Sequence, residues 1–267
     1  MSQQQILLKK NRESSVTPTS FYPLDVGSPR FGWGLNRLSS SYSGSVVRLR
    51  DLSNSTELDV GLAGDDLDTA SIDSWLSPTA DIQVVRLFDQ SGNGNHSTYD
   101  ANNGGGLYVD GTLHLVNGKP AIEVTGPQFF DAAITFSVGS GVAFYVGELS
   151  GNSMFSSQGA SGGYDGLAVS GNSSGAASPS GAAYRVNGSP VAGVTRGNLY
   201  SALGTFSPFI AAVLGYDYGT NYGTTYRLCG RSIQWRGFVQ SAMVWDSDVS
   251  ANVADIEGYI NNFHGHY

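Results

Sequence analysis

Residues 84–96 read Val-Val-Arg-Leu-Phe-Asp-Gln-Ser-Gly-Asn-Gly-Asn-His. An apolar run, Val84 to Phe88, enters a compact polar segment made of Asp89, Ser91, Gly92, Asn93, Gly94 and Asn95. Glycine accepts positive φ without steric cost, and Asp, Asn and Ser side chains bond their own neighbouring backbone. The stretch therefore predicts a β-strand ending in a rigid, self-bonded corner, with Asp89 accepting backbone N–H groups inside its own turn. The oxygen-bearing residues also fall at part of a calcium-loop spacing, with Asp100 where such a loop carries a bidentate glutamate. No helices flank the run, so the structural turn is the preferred reading. No metal or cofactor is expected, and calcium is the one ion the spacing would accommodate.

Strand signals continue on both sides. Val46 to Arg50 and Glu57 to Leu62 flank the turn Asp51 to Thr56. Asn117-Gly118 separates Leu113–Val116 from Ala121–Val124, and Asn187-Gly188 separates Ala183–Val186 from Val191–Val194. Asn-Gly is a strong hairpin signal because both central positions of the favoured turn need positive φ. Val142–Val146, Phe209–Leu214 and Phe238–Trp245 are further strands. Two helices interrupt: one capped by Asp68 with Ile72, Trp75 and Leu76 on one face, and one from about Ser250 with Val253, Ile256, Ile260 and Phe263 in step, stopped by Gly265.

Composition agrees with an all-β domain. The chain has 267 residues, 36 of them glycine, 40% hydrophobic and 13% charged. Short strands joined by glycine turns produce that balance, and one such domain accounts for residues 31–267. The net charge of −8 leaves no basic surface to displace phosphate counterions, which excludes nucleic acid and disfavours a charged membrane surface. A single cysteine, Cys229, excludes an intrachain disulfide. There is no apolar run long enough to span a bilayer and no apolar leader after Met1, so synthesis in a cytoplasm without a signal peptide is expected.

Residues 1–30 carry net +2 against −10 for the remainder, and Pro18, Pro23 and Pro29 exclude long regular structure. They predict an extended arm. The apolar triplet Ile6-Leu7-Leu8, followed by Lys9 and Lys10, has no use in a solvated tail and points to anchoring on a partner.

The segment FDQSGNGNH, with Leu38-Ser39-Ser40-Ser41-Tyr42-Ser43-Gly44 and Val46–Arg50 upstream, resembles the catalytic domain of the fungal arabinofuranosidase B family and laminin-G-like domains of phage and bacterial proteins. The final strand and helix, 239–265, resemble the end of laminin-G-like domains, and residues 6–27 resemble N-termini of phage fibre and appendage proteins. The resemblance implies a concanavalin A-like, laminin-G-like jelly-roll β-sandwich with an N-terminal arm and a short C-terminal helix.

A glycosidase needs two carboxylates facing one sugar. The resemblance places one at Asp217, after Leu214-Gly215-Tyr216. The family's nucleophilic glutamate belongs near residues 150–175, where this chain has no glutamate; Glu148 stands before that window and Asp165 within it, neither in a matching motif. Asp217 is otherwise a turn residue. Around it Tyr216, Tyr218, Tyr222 and Tyr226 crowd a glycine-rich loop, where rings could stack on sugars or pack on a neighbouring subunit. The cluster Asp65, Asp66, Asp68 reads as solvated and helix-capping. The sequence thus leads to the expectation of a non-enzymatic phage virion protein, a capsid decoration, head fibre or tail appendage. Residues 1–30 would bind other virion proteins, the chain would form a homo-oligomer, and its display domain would bind host-surface glycans through Tyr216, Asp217, Tyr218, Tyr222 and Tyr226. An arabinofuranosidase-like hydrolase is the alternative.

Overall fold

The computed structural model describes residues 21–98, 104–125, 130–149, 153–155, 167–169, 181–193, 195–217, 219, 225–228 and 237–267. Among them, twelve strands form one large sheet: β1 (Pro29–Gly34), β2 (Val47–Asp51), β3 (Glu57–Val60), β4 (Ile82–Leu87), β5 (Gly105–Val109), β6 (Thr112–Leu113), β7 (Ile122–Val124), β8 (Ser140–Leu149), β9 (Ala183–Val186), β10 (Ser189–Pro190), β11 (Pro208–Asp217) and β12 (Gly237–Trp245). Their order is β10-β9-β11-β8-β12-β7-β5-β4-β2-β3, with β1 also on β12 and β6 on β5. All the pairings are antiparallel. One edge of β12 is shared: β7 pairs with residues 237–239 and β1 with residues 241–245. The expected β-sandwich with a C-terminal helix is the fold observed.

The middle strands are buried along nearly their whole length instead of alternating. Both of their faces are covered, which turns an alternating pattern into a continuous apolar run. On the inner face Ala143, Tyr145, Ala211, Val213, Ala242 and Val244 meet Phe31, Trp33, Val47, Leu49 and Val84 in the main core. On the outer face Val142, Phe144, Val146, Ile210, Ala212, Met243 and Trp245 form a second core.

The second core is closed by the C-terminal helix. Among the described residues the α-helices are α1 (Thr69–Trp75), α2 (Arg196–Leu203) and α3 (Val253–His264). Val253, Ile256 and Ile260 of α3 are buried on the sheet, each contributing about 1.5–3 kcal/mol by area. Gly265 ends α3 in the left-handed region, φ 67°, and its N–H bonds Asn261 O at 2.7 Å, as its position in the sequence predicts. Arg185 of β9 donates to both oxygens of buried Glu257, fastening α3 to the sheet edge. Asp68 caps α1 by accepting the Ser71 N–H. Helix α2, capped by Thr195, has no counterpart in the sequence reading.

The hairpin signals have local reality. Asn117-Gly118 (φ 51°, 73°) and Asn187-Gly188 (φ 48°, 77°) both turn with two positive φ angles, and Asp110-Gly111 (φ 49°, 72°) adds a third such turn between β5 and β6.

The N-terminal segment requires one correction. Ile6, Leu7, Leu8, Lys9 and Lys10 lie outside the described residues. Residues 21–30, however, assigned to the arm, are part of the domain. Pro23–Asp25 form a 3₁₀ turn whose Leu24 is buried in the second core, Trp245 Nε1 donates to Val26 O at 2.8 Å, and β1 begins at Pro29. The prolines exclude a long helix, as expected, but they do not prevent a short turn from burying one leucine.

Candidate functional site

The corner after β4 is bonded on every side. Asp89 is 1% exposed. Its Oδ1 accepts from Gly32 N and Ser91 N, both at 2.9 Å, and its Oδ2 from Ser91 Oγ at 2.8 Å and Asn95 N at 3.0 Å. Gly92 and Gly94 hold φ 85° and 74°. Asn93 and Asn95 donate to Pro29 O and Arg30 O, while Gln90 bridges Gly34 O, Asn36 O and Leu38 N. The corner therefore ties β4 to β1 across the main core. Four donors occupy the Asp89 carboxylate, so its oxygens are committed to protein groups. Asp100 lies outside the described residues. Burial, with Arg86 beside it, pushes the His96 ring below the ordinary histidine range, consistent with its Nδ1 accepting from Asp89 N.

The acidic cluster is similarly occupied. Asp65 holds Arg37 at 3.0 Å and Tyr22 Oη at 3.1 Å, Asp66 holds Lys119 at 2.7 Å, and Asp68 caps α1. Among the described residues, no group of three or more His, Cys, Asp or Glu is placed to hold a metal ion.

Asp217 is the last residue of β11, opposite Ser140, half-buried, and its Oδ1 accepts from Gly139 N at 3.1 Å. Asp246 lies at the same end of the sheet, past β12, where it accepts from Ser137 N at 2.8 Å and sits 3.9 Å from Arg30. The two carboxylates pin the segment 137–139 from its two sides. Glu148 cannot join Asp217 on one sugar. It pairs with Pro208, eight residues along β8 from Ser140, which places it about 27 Å away. Burial raises the Glu148 carboxyl above the ordinary range.

The tyrosines divide. Tyr216 and Tyr226 are core rings, 6% and 1% exposed. Tyr226 Oη meets Tyr145 Oη at 2.9 Å, and its ring packs on Phe31 and Trp33 at centroid distances of 4.8 and 5.9 Å. Tyr216 lies on β11 and Tyr226 on the short strand Thr225–Leu228, and both rings turn into the core, so neither can stack on a ligand arriving from solvent. Tyr218 and Tyr222 lie outside the described residues, as does Asp165.

A groove that the sequence did not reveal runs along the outer face of β5, with a volume of about 180 Å³. Register places Gln83, Gly106 and Glu123 in one row across β4, β5 and β7. The row continues through Phe238 on β12 to Glu148 on β8. Glu123 Oε2 lies 3.2 Å from His114 Nε2, and His114 leans on Phe238 with centroids 5.7 Å apart. The only local signal was the run Gly104-Gly105-Gly106.

No family model matches the chain, and no curated protein matches its sequence. Solved structures do. An arabinofuranosidase complexed with arabinofuranosyl-α-1,2-xylobiose superposes with a TM-score of 0.59 at 17% identity, covering 90% of this chain and 64% of that one. A GH54 α-L-arabinofuranosidase soaked with a cyclic sulfate inhibitor gives 0.59 at 14% identity, and a mutant GH54 enzyme soaked with 4-nitrophenyl α-L-arabinofuranoside gives 0.57 at 16%; each alignment covers 90% of this chain and 65% of the other. The chain thus spans somewhat under two thirds of the length of these enzymes. At such identities the likeness establishes the fold. It also overturns the expectation of a non-enzymatic virion protein, because these three solved chains are arabinofuranosidases.

Proposed function

We propose that the chain is a glycoside hydrolase of the arabinofuranosidase kind, acting on arabinofuranosyl groups carried by a glycan. The observation that carries this reading is the superposition of 90% of the chain on arabinofuranosidases. Asp217 adds to it: a half-buried carboxyl on the last residue of a central strand, held in direction by the Gly139 N–H. In this reading Asp217 protonates the departing glycosidic oxygen. A second carboxylate attacks the anomeric carbon or removes a proton from the attacking water. Glu148 is excluded from that role by distance. The resemblance puts the second carboxylate within 150–175, and Asp165, the one carboxylate there, is proposed as the partner.

The test is turnover of 4-nitrophenyl α-L-arabinofuranoside by the purified chain. Asp217→Asn and Asp165→Asn should each lower kcat by about 10²–10⁴, the range for loss of a positioned acid or base. Absence of turnover, or turnover unchanged in Asp217→Asn, overturns the reading.

A further inference from the structure

Strand β4 carries a bulge. Arg48 of β2 pairs with Arg86, but Leu49 pairs with Val84, so Val85 is an extra residue, and it is buried. Directly paired residues share a face of the sheet, so the bulge sets Arg86 beside Arg48. Like charges directly opposite each other destabilise an antiparallel pair. This chain holds 14 Lys and Arg against 22 Asp and Glu, so cations are scarce, yet two of them stand together here. Arg48 is neutralised, since it donates to both oxygens of Asp59 at 2.6 and 2.7 Å. Arg86 is not. The ion pairs among the described residues engage Arg30, Arg37, Arg48, Arg50, Lys119 and Arg185, and none engages Arg86.

The surplus charge is held in a fixed place. Phe88, the residue after β4, lies under the Arg86 guanidinium at 5.4 Å and the Arg48 guanidinium at 6.0 Å, and His96 meets its ring edge-on at 5.3 Å. Arg86 Nε donates to Ser97 O at 3.0 Å, which orients the fork and leaves its two Nη groups for another partner. His96 Nδ1 accepts from Asp89 N at 2.9 Å, so the neutral ring carries its proton on Nε2. Neither Arg86 Nη nor His96 Nε2 is among the buried atoms that lack a partner, so these donors meet solvent. A guanidinium fork matches the two oxygens of a carboxylate, and its single charge balances a single anion. A chain of net charge −8 repels a polyanion, which favours one carboxylate on an otherwise neutral molecule. A uronic acid within a glycan is such a group, and its C–H face suits the rings of His96 and Phe88.

We propose that Arg86 and His96 bind the carboxylate of a uronic acid, Arg86 through its two Nη groups and His96 through Nε2–H. The choice of a sugar over another carboxylate rests on the glycan reading above. The carboxylate site itself asks nothing of Asp217.

Glucuronate is the probe, with glucose as its neutral counterpart and sulfate and a short glutamate peptide as rival anions, each titrated into the full chain. Saturable shifts of the backbone amide resonances of residues 86, 88 and 96 are expected with glucuronate. They should weaken with added salt, be absent with glucose and need higher concentrations of either rival. Arg86→Gln should lower the affinity by about tenfold or more, while the chain melts no lower because the repulsion with Arg48 goes too. Arg86→Lys keeps the charge without the fork, should lower the affinity by about threefold or more, and decides the matter if the glutamine disturbs folding. No saturable shift with glucuronate overturns the proposal, as does an affinity unchanged in both variants. Tighter binding of sulfate overturns it in favour of a general anion site, and tighter binding of the peptide in favour of a protein partner. Turnover of 4-nitrophenyl α-L-arabinofuranoside without glucuronate binding sinks this inference alone, and glucuronate binding without turnover sinks the hydrolase reading alone.

Discussion

Acidification should unfold this protein through two histidines at the end of α3. His264 is buried with neither ring nitrogen bonded, stacked on His266 at 5.2 Å. Burial, the neighbouring His266 and Lys119 push the His264 ring down to about 3; burial pushes His266 down to about 4. In the unfolded chain both titrate near 6.5. Between those values the unfolded state binds protons that the folded state refuses, so stability is complete above about pH 6.5 and drains away as the pH falls toward 4. From pH 7.5 to pH 5 each ring forfeits about 2 kcal/mol, about 4 kcal/mol for the pair, a large share of a typical domain's 5–15 kcal/mol. His96, also depressed by burial, acts in the same direction. Glu148, whose carboxyl burial raises, acts in the opposite direction and so cannot produce the loss. Urea unfolding followed by circular dichroism at pH 7.5, 6.5, 5.5 and 5 measures the slope. His264→Gln should remove about half of the loss and leave the slope at higher pH unchanged. A flat profile from pH 7.5 to 5, or an identical slope in His264→Gln, refutes the account.

Two further perturbations test the frame. Asp89→Ala strips the acceptor from Gly32 N, Ser91 N and Asn95 N at once, and should lower the unfolding free energy by about 2–5 kcal/mol in denaturant titration; a loss below about 0.5 kcal/mol would show that the corner is not what joins β4 to β1. Truncation through Gly27 removes buried Leu24 and the acceptor of Trp245 Nε1, and should cost about 2–5 kcal/mol relative to truncation through Ser20, read as the difference in melting between the two shortened chains.

Much of the local structure was written in the sequence because its causes are local. Asn117-Gly118 and Asn187-Gly188 turn where they do because glycine and asparagine tolerate positive φ. Asp89 sits within six residues of two of the donors it accepts, and the apolar spacing of 253–260 with Gly265 after it defines α3. The all-β character followed from the same signals, and the sandwich from the resemblance carried by residues 88–96.

What the residues do for one another across the sheet was not legible there, since hydrogen-bonded register joins positions far apart in the chain. Glu123 reaches Phe238 and, beyond it, Glu148 only because β7 and β8 lie on opposite edges of β12. The same register sends Asp217 and Glu148 to opposite ends of one ladder, separating two carboxylates that look like neighbours on a list of candidates. Tyr216 and Tyr226 belong to a loop rich in rings, yet strand alternation buries both. Leu24 stands among prolines in a segment that reads as a free arm, and it is the outer face of β12 with α3 that supplies its burial. Turn geometry depends on a few adjacent dihedral angles and can be read from four residues. Burial, and the meeting of side chains from five strands, depend on which strands pair, and tertiary packing alone makes that choice.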